Sequence, residues 1–131
     1  MFKYIALIKK KPGMSRHEFI DFYENTYVPR VTKMFAAEFE TCRLYRRNYL
    51  VFNDPFSSFK GYPEYEATEA GAGFDVVTEC MFDTREEAEA LLSAAYRNPE
   101  MVEIVRADGD KFIDNHNARM YVVEVRETQF A

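Results

Sequence analysis

The sequence predicts an α+β fold in which four strands and two principal helices run in the order β-α-β-β-α-β. Three observations predict it. Stretches rich in β-forming residues open and close the chain, at 2–9 and 119–127. Two inner runs, 42–52 and 74–82, alternate in side-chain character with period two, the pattern of a half-buried strand. Two Ser/Thr-x-x-Glu spacings, Ser15 with Glu18 and Thr84 with Glu87, each precede apolar residues at helical intervals, as capping boxes do.

The first strand, centred on Tyr4-Ile5-Ala6-Leu7-Ile8, is apolar on both faces, as in a strand covered on two sides. Pro12-Gly13 ends it. The helix opened by Ser15 carries Phe19, Phe22, Tyr23 and Tyr27 at i, i+3, i+4 and i+8, one aromatic stripe. Pro29 interrupts the pattern, and a second helical piece is expected through Met34-Phe35. The second strand sets Cys42, Leu44, Arg46 and Asn48 on one side and Arg43, Tyr45, Arg47, Tyr49 and Val51 on the other. Residues 53–73 form a long irregular segment with two close tyrosines, Tyr62 and Tyr65. The third strand puts Asp75, Val77, Glu79 and Met81 on one face and Phe74, Val76, Thr78, Cys80 and Phe82 on the other. The helix after Thr84 has Ala88, Leu91, Leu92 and Ala95 on its apolar side. Asn98-Pro99 is read as its end, followed by a short helical turn at 100–105. The last strand is centred on Met120-Tyr121-Val122-Val123-Glu124-Val125.

This order is the split βαβ, ferredoxin-like arrangement. Both helices then lie on one face of a four-stranded antiparallel sheet, and the other face is left uncovered. A second copy of the same sheet is its simplest cover, since a two-fold dimer lets each subunit supply the same patch. The expected assembly is a homodimeric α+β barrel. With 131 residues, no internal repeat and no low-complexity stretch, residues 1–131 read as one domain.

Composition excludes several classes. The net charge is -5, and the densest basic groups, Lys9-Lys10-Lys11 and Arg43 with Arg46-Arg47, are too short for a phosphate track, so no nucleic-acid partner is expected. No run approaches the roughly 18 apolar residues of a membrane helix. The opening Met1-Phe2-Lys3-Tyr4-Ile5 lacks a signal-peptide layout, and a cytoplasmic location is expected. Cys42 and Cys80 lie in apolar strands without metal-ligand spacing and read as small buried residues. No His/Asp/Glu cluster has metal spacing either. Twelve Phe and nine Tyr without Trp exceed what one small core needs, pointing to an apolar pocket, a subunit interface, or both.

Three strings then match something larger. LIKKKPGMSRHEFIDFYENTYVP (7–29), FDVVTECMFDTREEAEAL (74–91) and DGDKFIDNHNARMYVVEV (108–125) together resemble the EthD family of dimeric α+β barrel proteins, in the family's order. The resemblance implies a homodimer, a small-molecule pocket between sheet and helices, and chemistry without cofactors. The reactions implied are decarboxylation, dehydration, cyclisation or isomerisation of hydrophobic aromatic or polyketide-like compounds. Other such proteins have no assigned activity, so a non-catalytic ligand-binding or accessory role stands as the alternative. Related barrels also bind heme, for which His17 and His116 are the only histidines here. The family's first helix ends in His-x-Pro, whereas this chain has Tyr27-Val28-Pro29. A phenol titrates near 10, so Tyr27 would donate a hydrogen bond or a proton rather than accept one at neutral pH.

The candidate catalytic residues are therefore Tyr27, as acid or oxyanion donor, and Glu79, as base. Tyr27 also has a plain reading as a packing tyrosine. Glu79 replaces the absent histidine if it faces the pocket; otherwise it pairs with Arg43, Arg47 or Arg119. Phe22, Tyr23 and Tyr45 are candidates to line the pocket, and His116 to reach its rim. Tyr62 and Tyr65, with Phe56 and Phe59, form an aromatic loop that serves as a lid or as an arm on the partner subunit.

Overall fold

The computed structural model describes residues 1–58, 61, 62 and 68–131. Its strands are β1 (Phe2–Ile8), β2 (Cys42–Tyr49), β3 (Val76–Phe82) and β4 (Arg119–Val123). They form one antiparallel sheet in the order β2-β3-β1-β4, the ferredoxin-like arrangement that the element order predicts. The helices are α1 (Arg16–Phe22), α2 (Val28–Met34), α3 (Ala36–Phe39), α4 (Arg85–Ala95) and α5 (Pro99–Asp110), with a π turn at Tyr23–Tyr27 between α1 and α2. Among the described residues no helix is long and apolar enough to cross a membrane.

Both capping boxes form on their donor side. The Glu18 amide donates to Ser15 Oγ at 3.1 Å and the Glu87 amide to Thr84 Oγ1 at 3.3 Å. A third cap went unread in the sequence. The Met101 amide donates to Asn98 Oδ1 at 2.8 Å, and Pro99 takes the first helical position, where its missing N–H costs nothing. Asn98-Pro99 thus starts a helix rather than merely ending one, and α5 runs to Asp110 instead of stopping after a turn. β4 is shorter than expected because Val123 pairs with Lys3 near the start of β1, where its partner strand runs out.

Pleating separates the side chains cleanly. Tyr4, Ile8, Val76, Thr78, Cys80 and Phe82 point under the helices and are buried. Ile5, Leu7, Val77, Glu79 and Met81 lie on the opposite, half-exposed face. In β2 a register shift between Cys42 and Leu44 leaves Arg43 without a partner. This bulge turns Cys42 toward the helix side, where it packs on the core, and corrects the simple alternation that grouped it with Leu44.

The core falls into two clusters. One gathers Ile8, Phe19, Tyr23, Val76 and Phe112; the other gathers Tyr4, Val31, Phe35, Cys80, Phe82 and the α4 residues Ala88, Leu91 and Ala94. Phe19, Phe82 and Phe112 are fully enclosed, each contributing about 1.5–3 kcal/mol by burial. Tyr27 is only partly buried and packs against both clusters. It stands at the seam between them.

The strand end at Lys9–Lys11 is a fixed corner. The Lys11 amide donates to Phe112 O and the Asp114 amide to Lys9 O, both at 2.9 Å. Buried Asp75 accepts from the Lys10 amide at 2.7 Å. These bonds hold the segment after α5, with Ile113, Asn115 and His116, against the end of β1.

Candidate functional site

At the seam between the clusters the packing opens. An inner cavity of about 220 Å³ lies between sheet and helices, with Tyr4, Tyr23, Tyr27, Tyr45, Cys80 and Leu91 in its wall. An outer cavity of about 620 Å³ lies between β1, β4 and α5. The two share seven lining residues, among them Ala6, Tyr27, Tyr96 and Met120, so Tyr27 borders both.

The π turn sets Tyr27 there. The Val28 amide donates to Tyr23 O, one residue wider than an α-helical bond. The widening moves the Asn25 carbonyl away from the ring of Pro29, which would clash with it in a regular helix. The Tyr27 ring rests against Phe112 at 4.9 Å and edge-on to Tyr23 at 5.7 Å between centroids. Its hydroxyl makes no hydrogen bond to the described residues. No enclosed side-chain oxygen or nitrogen there lacks a partner, so this oxygen is open to the cavity space. Burial, reinforced by the neighbouring Tyr23, pushes its pKa up to about 12. Tyr27 is thus a protonated donor with its hydrogen uncommitted.

The hydroxyls of Tyr23 and Tyr49 are committed. The hydroxyl of Tyr23 lies 2.8 Å from Thr78 Oγ1. Burial raises the pKa of Tyr23 and of Tyr45. Beside them, Arg47 grips Glu24 with two hydrogen bonds, 2.9 and 2.7 Å, and Tyr49 donates to the same carboxylate at 2.6 Å. The Arg47 hydrogen bonds hold Glu24 below the usual carboxylate range. This cluster ties the π turn to β2.

Glu79 sits elsewhere. Strand alternation puts Thr78 and Cys80 under the helices and Glu79 on the outer face, so it cannot act with Tyr27 inside one protomer. It forms an ion pair with Lys3, accepts from Asn48 Nδ2 at 2.8 Å and lies 3.6 Å from Arg46. Lys3 above all holds its carboxyl below the ordinary range, the reverse of a poised base. Its partners are Lys3 and Arg46, not the expected Arg43, Arg47 or Arg119.

Of the other candidates, Tyr23 and Tyr45 line the inner cavity and His116 the outer one. Phe22 packs on Phe112 at 5.2 Å between centroids and lines neither. Tyr62 is exposed and in neither wall; Tyr65 lies outside the described residues. Sequence reasoning missed Tyr96, Met120 and Arg106. A signal for Tyr96 was present, since it continues the α4 stripe four residues beyond Leu92.

Sheet, one-sided helix layer and aromatic-lined cavity define a ferredoxin-like α+β domain with room for a small molecule. The EthD domain family matches residues 11–116, and the chain belongs to that family. No curated protein matches it. The crystal structure of At3g17210 from Arabidopsis thaliana is similar, with 13% identity and a TM-score of 0.52, covering 99% of this chain and all of the other. The solution structure of that hypothetical Arabidopsis protein has a TM-score of 0.51 at 13% identity, covering 99% and 90%. At such identity the likeness is one of fold.

Proposed function

We propose that this protein is a cofactor-independent enzyme of lyase, cyclase or isomerase type, acting on a hydrophobic aromatic or polyketide-like carbonyl compound. One observation carries the reading: Tyr27 lines both cavities, and its hydroxyl, its pKa raised by burial, has no hydrogen-bond partner among the described residues. Decarboxylation, dehydration, cyclisation and double-bond migration beside a carbonyl all pass through enolate-like charge. A phenol in a dry site stabilises such charge by hydrogen bonding to the carbonyl oxygen. No carboxylate or imidazole lines the inner cavity among the described residues. We assign the proton acceptor to His116, the imidazole that shares the outer cavity with Tyr27.

The absence of a carboxylate or imidazole from the inner cavity, among the described residues, favours a second reading, a non-catalytic carrier of hydrophobic ligands. Exchange of the α-protons of an aryl methyl ketone in deuterated buffer, followed by proton NMR, separates the two. Enzyme-dependent exchange should fall roughly 10²-fold in Tyr27→Phe, the scale for losing one positioned proton donor. Binding without any exchange would leave the carrier reading.

The half-exposed outer face of the sheet, with Ile5, Leu7, Leu44, Val77 and Met81, supports a homodimer joined face to face. The Lys3–Glu79 pair with Arg46 and Asn48 would supply its polar complement.

A further inference from the structure

The two cavities differ in chemistry along their shared axis. The inner one is walled by aliphatic and aromatic groups with only phenol, hydroxyl and thiol polarity. The outer one ends in Arg106, Asp110, Asn115, His116 and Arg119, all exposed to solvent. Seven of the ten arginines pair with a carboxylate: Arg30, Arg43, Arg46, Arg47, Arg85, Arg97 and Arg126. Among the described residues, Arg106 and Arg119 are two of the three that do not. Arg119 spends one nitrogen on the carbonyls of His116 and Ala118. Asp110, the only carboxylate lining the outer cavity among the described residues, accepts from Asn115 Nδ2 at 2.5 Å. An acidic chain thus presents a locally cationic mouth over an apolar depth.

We propose that the ligand of this pocket is an amphiphilic organic acid. Its aromatic or apolar body enters beside Tyr27, and its carboxylate or equivalent anionic head stays at the mouth between Arg106 and Arg119. This rests on the pocket reading above and narrows it. Guanidinium groups suit the role because they hold carboxylates in paired hydrogen bonds. On α5, Val102, Val105 and Gly109 face the same cavity as Arg106, so one helix supplies both the apolar wall and the charge.

The test uses two probes of the same apolar body, 2-naphthoate and neutral 2-naphthamide, titrated by calorimetry into the wild type and into Arg106→Gln/Arg119→Gln. The wild type should bind naphthoate at least about tenfold more tightly, the scale of one charge-assisted hydrogen bond. The double variant should lose that preference while its affinity for naphthamide stays unchanged, which also shows that it is folded. Equal affinity of the two probes for the wild type would overturn the head-group assignment and leave the pocket standing. So would a preference that survives in the double variant. Failure of both probes to bind would overturn the pocket reading and this inference with it.

Discussion

The Tyr23 hydroxyl and Thr78 Oγ1 meet at 2.8 Å, joining the π turn to the strand beneath it. Tyr23 is nearly enclosed and Thr78 is buried, so neither group can turn to water. The bond fixes the turn four residues before Tyr27 and hence the attitude of the free phenol.

Removing that partner has a defined cost. Thr78→Val keeps the shape and deprives a buried hydroxyl, and should destabilise by about 1–2 kcal/mol in urea unfolding. Tyr23→Phe should cost a similar amount. The double variant should lose less than the sum, because the second change removes a group already unpaired. Full additivity would show that the two hydroxyls do not couple.

Alkaline pH should unfold the protein cooperatively. Burial raises the pKa of Tyr4, Tyr23, Tyr27, Tyr45 and Tyr49. A phenol raised on folding stabilises fully below its unfolded value of 10.0. That stabilisation is lost as pH rises from there through the folded value. Phenolate absorbance from these five should therefore appear only as far-ultraviolet circular dichroism collapses. Their ionisation with intact dichroism would contradict this.

Acid pH should act through Asp108. Burial pushes this carboxyl up, but Arg30 and Lys111 outweigh it and hold it below its ordinary 3.8. A depressed carboxylate contributes stability above its unfolded value and loses it as pH falls through the folded one. Arg30→Gln removes the stronger partner and should move the acid unfolding midpoint to higher pH. It should cost about 1–3 kcal/mol at neutrality. An unmoved acid midpoint would show that Lys111 alone suffices.

The dimer can be broken from the sheet. Val77→Asp places a charge on the outer face without touching the cavities. In the proposed face-to-face assembly it should give a folded monomer at micromolar concentration by sedimentation, where the wild type sediments as a dimer. A monomeric, folded wild type would rule out that assembly.

Local signals carried the fold because they rest on short-range chemistry. The Ser15 and Thr84 caps, the aromatic stripe through Phe19 and Tyr23, and the alternation of β3 all act within a few residues. Three features escaped. Alternation divides Glu79 from Thr78 but does not say which face the helices cover; that follows only from how α1 and α4 pack. The bulge at Arg43 depends on the partner strand, so Cys42 changed sides without any local mark. The cavity needs Tyr27 from the first helix pair, Tyr96 from α4, Arg106 from α5 and Met120 from β4. Those residues are far apart in sequence and meet only through the sheet order.

The rings of Tyr23, Tyr27 and Phe112 lie with centroids 4.9–5.7 Å from one another, in a chain without tryptophan. Light absorbed by Phe112 can pass to either tyrosine, and light absorbed by one tyrosine to the other, so the tyrosine emission reports on the group. The protein therefore carries its own optical gauge of occupancy: a molecule settling against Tyr27 should dim the native fluorescence with no dye or label attached.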